Sequence, residues 1–219
     1  IPALPEGWQV ESVVRSAHGE GFSGDFVVAA RGGDGPRLEI VLVDVSGKGQ
    51  DAGVRSLLLS GAFGGLLGAM PSSAFLPAAN GYLVDQHWPE GFATAVHLAI
   101  DLDTGGFWVA RAGHPPPIHL RAGAGRVELV DQGAGPALGV MPSPAYLGSD
   151  GLLERGDSLL LYTDGLVEDR RRDVDQGIDR LMGAVERLVA TGRGGAEAVL
   201  ADLHAGEGDD RALVLVRRL

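Results

Sequence analysis

The sequence has no cysteine, so disulfides and thiolate metal sites are both excluded. That leaves the compartment open, and a reducing cytoplasm is the expectation. Basic residues are scarce: 18 Lys and Arg stand against 29 Asp and Glu, a formal net charge of −11. Nucleic acid and anionic membrane surfaces need clustered Lys and Arg, so neither is expected as a partner. A phosphorylated substrate stays admissible if bound cations offset the acids locally. No long apolar run is present either. The most apolar stretch, Leu57–Pro71, is too short and too glycine-rich to span a bilayer. The first six residues, Ile1 to Glu6, have neither the basic start nor the apolar segment of a signal peptide. The chain starts without Met, as a piece of a longer protein would. No linker interrupts the 219 residues, so one domain over 1–219 is expected.

What is present is a core-forming composition, 45% hydrophobic, with 35 glycines that punctuate apolar runs rather than forming repeats. The segment Ile40–Gly49, IVLVDVSGKG, organises the rest. Ile40–Val43 read as a buried strand that delivers Asp44 to a turn of small residues. Desolvation raises the pKa of a carboxylate in that position unless a cation or several donors hold its charge. Leu159–Gly165, LLLYTDG, repeats the form and places Asp164 at the end of a second apolar run.

Taken in order, residues 8–16 read as a first strand, and a glycine-rich loop then carries Asp25 to the entrance of another. By itself Asp25 reads equally as a turn residue before a hairpin strand. Asp34 belongs to a hairpin turn without a role. A buried helix is expected over Ala52–Met70, then a break bracketed by Pro71 and Pro77, then a second helix to about Gln86. Ala93–Asp101 and Gly106–Ala112 form a hairpin in which His97 is a core or edge histidine. Ile118–Leu120 and Val127–Val130 form another, and Gly133–Gly139 is a loop. The triple proline between His114 and His119 argues against a shared metal. Glu168–Asp175 reads as a solvated loop, Ile178–Ala190 and Ala196–His204 as amphipathic helices, and Asp209-Asp210 opens a last buried strand. Strands dominate both halves, which fits two sheet layers covered by helices better than an alternating βαβ sheet.

Asp25, Asp44, Asp164 and Asp209 each sit at a strand end beside a glycine or another acid. If they converge, two carboxylates about 4 Å apart repel by roughly 4 kcal/mol at an effective dielectric near 20. Such a group either binds divalent cations or does not converge. Oxygen ligands without cysteine or clustered histidine point to Mg²⁺ or Mn²⁺ rather than Zn²⁺.

DVSGKG, AGHPPPI, GPALGV, GDSLLLYTDGLVE and DDRALVLV, in this order, resemble the SpoIIE-type (RsbU-like) branch of the bacterial PPM (PP2C-like) serine/threonine phosphatases. The resemblance runs from about Pro5 to Arg217. It implies an α+β fold, an αββα sandwich of two mainly antiparallel sheets, and metal-dependent hydrolysis of phosphoserine or phosphothreonine in proteins. It also implies two Mn²⁺ or Mg²⁺ ions bridged by Asp44, with the Val45 carbonyl on one of them. Asp164 and Asp209 would hold the other ion, and Asp25 would hold the second metal directly or through water. Asp209 is preferred over Asp210 because the family ligand is the first of the pair. Asp44 and Asp164 would be the catalytic carboxylates, and a metal-bridging water the nucleophile. The implied substrate is a phosphorylated protein of the anti-anti-sigma-factor type. Oligomeric state is open, a homodimer through the glycine-rich helix being one arrangement.

The chain departs from the pattern in places. Lys48 stands where His is frequent, and reads as a solvated loop lysine or a charge near the phosphate. Val28 stands where a second acid is usual, and Asp51 has no role. Two competing readings remain. One is a non-catalytic module of the same fold that binds a phosphoprotein or senses a metabolite. The other is a HAD-type phosphatase using Asp44 as nucleophile, disfavoured by Ser46 and by the lack of strand–helix alternation.

Overall fold

The computed structural model describes residues 1–17, 23–32, 35–47, 49–88, 91–168, 174–189, 191, 194–203 and 208–219. Asp34, Lys48, the middle of the Glu168–Asp175 run, Ala190 and His204 lie outside the described residues.

Period-two alternation sets the architecture. In β3 (Arg37–Val45), Leu38, Ile40 and Leu42 enter one core while Val41, Val43 and Val45 enter another. The strand is covered on both faces, as its unbroken apolar run requires. It pairs antiparallel with β2 (Phe26–Arg31) and β4 (Ala93–Asp101), and β4 with β5 (Gly106–Ala112). Two short strands complete this sheet on the far side of β5: β8 (Ala134–Gly135), parallel, and β9 (Ser149–Leu152), antiparallel. The second sheet has the order β1 (Trp8–Arg15), β11 (Arg211–Arg218), β10 (Ser158–Tyr162), β6 (Ile118–Arg121), β7 (Arg126–Leu129), all antiparallel.

Helices α1 (Gly49–Leu66) and α2 (Ser72–Asp85) cover the outer face of the first sheet, where Leu59, Phe63 and Phe75 meet Val41 and Val43. Helices α3 (Val174–Leu188) and α4 (Ala196–Leu203) cover the second, where Leu181, Val185 and Val199 meet Tyr162 and Leu213. Between the sheets, Ile40, Leu42, Leu98, Leu161 and Val214 form the central layer. The chain is therefore an αββα sandwich of the expected α+β class. Each such aliphatic side chain contributes about 1.5–3 kcal/mol on burial, and Leu42→Ala would remove roughly 2–5 kcal/mol. Among the described residues no helix is long and apolar enough to cross a membrane.

Several boundaries differ from the sequence reading. Helix α1 begins at Gly49, directly after the Asp44 turn, rather than at Ala52, and it ends at Leu66. Pro77 does not end a helix; it lies inside α2. It removes one N–H from the first turns, and buried Phe75, Leu76, Ala79 and Leu83 hold the helix through the gap. Helix α3 starts at Val174, so the end of the charged run is helical, with Asp175 in the first turn where the helix dipole favours an acid. Strands β8 and β9 carry no apolar alternation and are held by pairing to β5 rather than by their own pattern.

Candidate metal centre

The same alternation aims the acids. Asp44 follows Ile40 and Leu42 on the face between the sheets, and its cross-strand partner Thr94 follows Val96 and Leu98 on that face. In the second sheet Thr163 continues the face of Leu159 and Leu161, and Asp164 comes next, opening a 3-10 turn over Asp164–Leu166. Residues 209 and 210 immediately precede β11, and Asp25 immediately precedes β2. All these ends meet at one end of the sandwich. There Asp25, Asp44, Asp164, Asp209 and Asp210, together with Val45, line a cleft of about 550 Å³. Five aspartates from positions 25 to 210 of the sequence thus bring their carboxylates to one place.

That convergence shows in the ionisation of the acids. Asp25 is 4% exposed, and burial raises its pKa well above the ordinary carboxylate range, with the charge of Asp44 adding to the effect. Asp44 is pushed up to about 7, by burial first and then by Asp164, Asp209 and Asp210. Asp164 is raised by burial, by Glu168 and by Asp209. A cleft of this kind relaxes by taking up protons or cations. Its donors are all oxygen, the set preferred by hard divalent ions. Among the described residues, however, no three histidine or acidic side chains are arranged to chelate one ion together. The residues fit divalent ions in chemistry and charge, while the acids share a cleft without closing into a ligand cage.

Several residues that sequence reasoning did not assign hold the acids in place. The Thr163 hydroxyl donates to Asp25 Oδ2 at 2.7 Å and accepts the Ala212 N–H at 2.8 Å. This couples the Asp25 turn to the ends of β10 and β11. The Asp210 carboxylate accepts the N–H groups of Ala17 and Gly24 at 2.7 and 2.5 Å, so it fastens the start of the Asp25 loop. Asp209 Oδ1 instead accepts the N–H of Asp210. A Cβ on Gly165 would lie 2.0 Å from the Asp210 carbonyl, which explains the glycine after Asp164: backbone passes where a side chain would stand. Ser46 and Phe92 clasp the other rim through Ser46 N–H to Phe92 O at 2.9 Å and Phe92 N–H to Ser46 Oγ at 3.0 Å.

The histidines face separate partners. His97 is fully buried, with Nε2 2.9 Å from Glu39 Oε2, and His119 Nε2 is 3.2 Å from Asp157 Oδ2. His114 lies behind the cleft, with Nε2 2.9 Å from the Tyr162 carbonyl and Nδ1 2.7 Å from the Thr94 hydroxyl. Burial lowers its pKa to about 3, so the ring is neutral. A carbonyl only accepts, so Nε2 carries the proton and Nδ1 accepts from Thr94. Thr94, which lines the cleft, therefore offers only lone pairs to it. The AGHPPP motif containing His114 was visible in the sequence, but its link to Thr94 was not.

Comparison with known proteins agrees with this fold. The curated protein IcfG of Synechocystis sp. (strain ATCC 27184 / PCC 6803 / Kazusa) is 29% identical over 202 residues, covering 78% of this chain and 30% of that protein. The chain thus spans less than a third of that relative. The solved RsbU and RsbW domains of Rv1364c from Mycobacterium tuberculosis superpose with a TM-score of 0.85 at 26% identity, over 99% of this chain and 61% of that one. The PP2C phosphatase domain of SpoIIE from Bacillus subtilis shares the fold, with a TM-score of 0.76 at 19% identity over 96% of this chain and 63% of that one. So does the catalytic domain of the serine threonine protein phosphatase PstP in complex with two manganese ions, with a TM-score of 0.64 at 18% identity over 96% and 97%. Residues 34–219 carry Asp44, Asp164 and Asp209, and they match the family model described as Stage II sporulation protein E (SpoIIE), the family to which this chain belongs.

Proposed function

We propose that this chain is a single phosphatase domain that hydrolyses phosphoserine or phosphothreonine in a protein, using divalent ions held by Asp25, Asp44, Val45, Asp164 and Asp209. The observation that carries the reading is the shared cleft. Five aspartates spread over most of the sequence line it, and burial and neighbouring acids raise the pKa values of Asp25, Asp44 and Asp164 above the ordinary carboxylate range. Mn²⁺ or Mg²⁺ bound there would polarise the phosphoryl oxygens and supply hydroxide at neutral pH.

The chain's own residues do the rest. Asp44 and Asp164, close enough for the charge of Asp164 to raise the pKa of Asp44, face the reacting centre as its carboxylates. Thr163 fixes one oxygen of Asp25, leaving the other for an ion or its water. Asp210 is committed to backbone N–H groups, which favours Asp209 as the ligand of the pair. The physiological substrate proposed is a small phosphoprotein of the anti-anti-sigma-factor type in the cytoplasm. The RsbU domain of Rv1364c, joined to an RsbW domain in its own chain, supports that direction.

A second reading, a non-catalytic phosphoprotein-binding module, is favoured by one observation: no three acids among the described residues form a chelating group. One experiment separates the two. Purified protein is assayed with Mn²⁺ against p-nitrophenyl phosphate and a phosphoserine peptide, beside Asp44→Asn. Hydrolysis that needs Mn²⁺ and disappears in the variant is expected. A folded wild type with no metal-stimulated activity would give the binding module, and full activity in Asp44→Asn would overturn the catalytic assignment.

A further inference from the structure

Among the described residues that line the cleft, Arg55 is the one basic side chain. It stands on α1 within two turns of the Asp44 loop and is half-buried. Its guanidinium carbon lies 5.3 Å from the centroid of the Trp88 ring. Five carboxylates share the cleft with it, yet among the described residues Arg55 makes no ion pair with any acid. Arg111, by contrast, is tied to Asp131 and the His114 carbonyl.

A guanidinium resting on an aromatic face keeps its in-plane N–H groups available, in the fork geometry that matches two oxygens of a carboxylate or phosphate. The charge balance selects the oxyanion. Five aspartates line the cleft and contribute five negative charges, of which two divalent ions would cancel four. Arg55 supplies the fifth positive charge, so a phosphate monoester dianion would meet a neutral cleft that presents a guanidinium to it. A solvated surface arginine would have no reason to line this cleft or to be braced on a tryptophan.

We propose that Arg55 is the phosphate-binding residue of the cleft, holding two non-bridging oxygens of a phosphoserine or phosphothreonine group, with Trp88 fixing the guanidinium plane. The inference rests on the phosphatase reading for its choice of ligand, and it concerns binding rather than the chemical step.

The test is a calorimetric titration of inorganic phosphate into the Mn²⁺-loaded wild type, Arg55→Met and Arg55→Lys, with peptide kinetics on the same samples. Arg55→Met should bind phosphate about 10- to 100-fold more weakly and raise KM similarly, with a smaller change in kcat. Arg55→Lys should recover part of the affinity, as a point charge without the fork. Mn²⁺ affinity should be the same in all three, which separates phosphate binding from a role in building the site. Arg55→Met with wild-type phosphate affinity would overturn the proposal, as would parallel loss of Mn²⁺ affinity. A wild type that binds phosphate through Arg55 but hydrolyses nothing would sink the enzyme reading alone, leaving this one standing.

Discussion

The carboxylate of Asp210 accepts the backbone N–H of Gly24 at 2.5 Å, across 186 residues of sequence. Together with its bond to Ala17, this makes the second acid of the terminal pair a clamp on the loop that presents Asp25. The first acid, Asp209, keeps its place on the cleft. Alanine substitution should therefore divide the pair. With Mn²⁺ saturating, Asp210→Ala should lose about 2 kcal/mol of stability from two charge-assisted bonds, read by chemical denaturation. Asp209→Ala should keep most of its stability and lose Mn²⁺ affinity, read by calorimetry. The reverse pattern would make Asp210 the ligand.

Asp44 opposes the stability of the metal-free fold. At pH 8 its ionised form sits buried among Asp164, Asp209 and Asp210, against a pKa of about 7 in the fold and 3.8 ordinarily. Metal-free Asp44→Asn should thus be more stable than metal-free wild type at pH 8, by roughly 2–4 kcal/mol. Hydrolysis should fall by about a thousandfold or more in the same variant. A less stable Asp44→Asn would mean that the carboxylate is held by the fold rather than strained by it.

The same raised pKa gives metal stabilisation a pH dependence. The folded, metal-free protein retains a proton on Asp44 that the unfolded chain releases near pH 4, and this advantage disappears as pH rises through 7. A divalent ion must displace that proton at low pH and replaces nothing at high pH. Mn²⁺ at a hundred times its Kd should add about 2.7 kcal/mol, or roughly 5–10 °C in Tm for a chain of this size. At a fixed Mn²⁺ concentration the shift should be larger at pH 8 than at pH 5.5, measured by thermal melts with and without EDTA. Equal shifts would mean that the ion binds away from Asp44.

His114 acts in the opposite direction. Its folded pKa is lowered to about 3 by burial, below the ordinary 6.5, so the unfolded chain takes a proton that the fold refuses. Stability must therefore fall as pH drops below 6.5, continuing until about 3. By pH 4.5 the loss from this one ring is on the order of 2–3 kcal/mol. Denaturation curves between pH 7 and 4.5 should be shallower in pH for His114→Gln than for wild type. Parallel slopes would show that the ring is charged in the fold.

Much of this arrangement was legible in the sequence, for identifiable reasons. Ile40–Val43 is apolar on both faces, and the turn at 103–105 separates two runs, so β3, β4 and β5 could be read directly. Asp44 and Asp164 stood out because each ends an apolar run, Asp25 and Asp209 because each stands just before one. The division between Asp209 and Asp210 was not legible locally, since it depends on N–H groups at Ala17 and Gly24. Nor was Thr94, whose hydroxyl proton is assigned only through His114 and the Tyr162 carbonyl. Arg55 carried no local signal, because its neighbour Trp88 lies beyond the end of α2. Pro77 misled because its effect on a helix depends on what the surrounding side chains bury.

Strand β11 lies between β1 and β10, and the two acids just before it complete the rim of the cleft. During translation, Asp25, Asp44 and Asp164 leave the ribosome well before their last companions. Until residues 209–218 emerge, β1 and β10 have no shared neighbour, and a nascent chain or nicked fragment stopping short of Asp209 lacks both the strand that joins them and two of the five acids of the cleft.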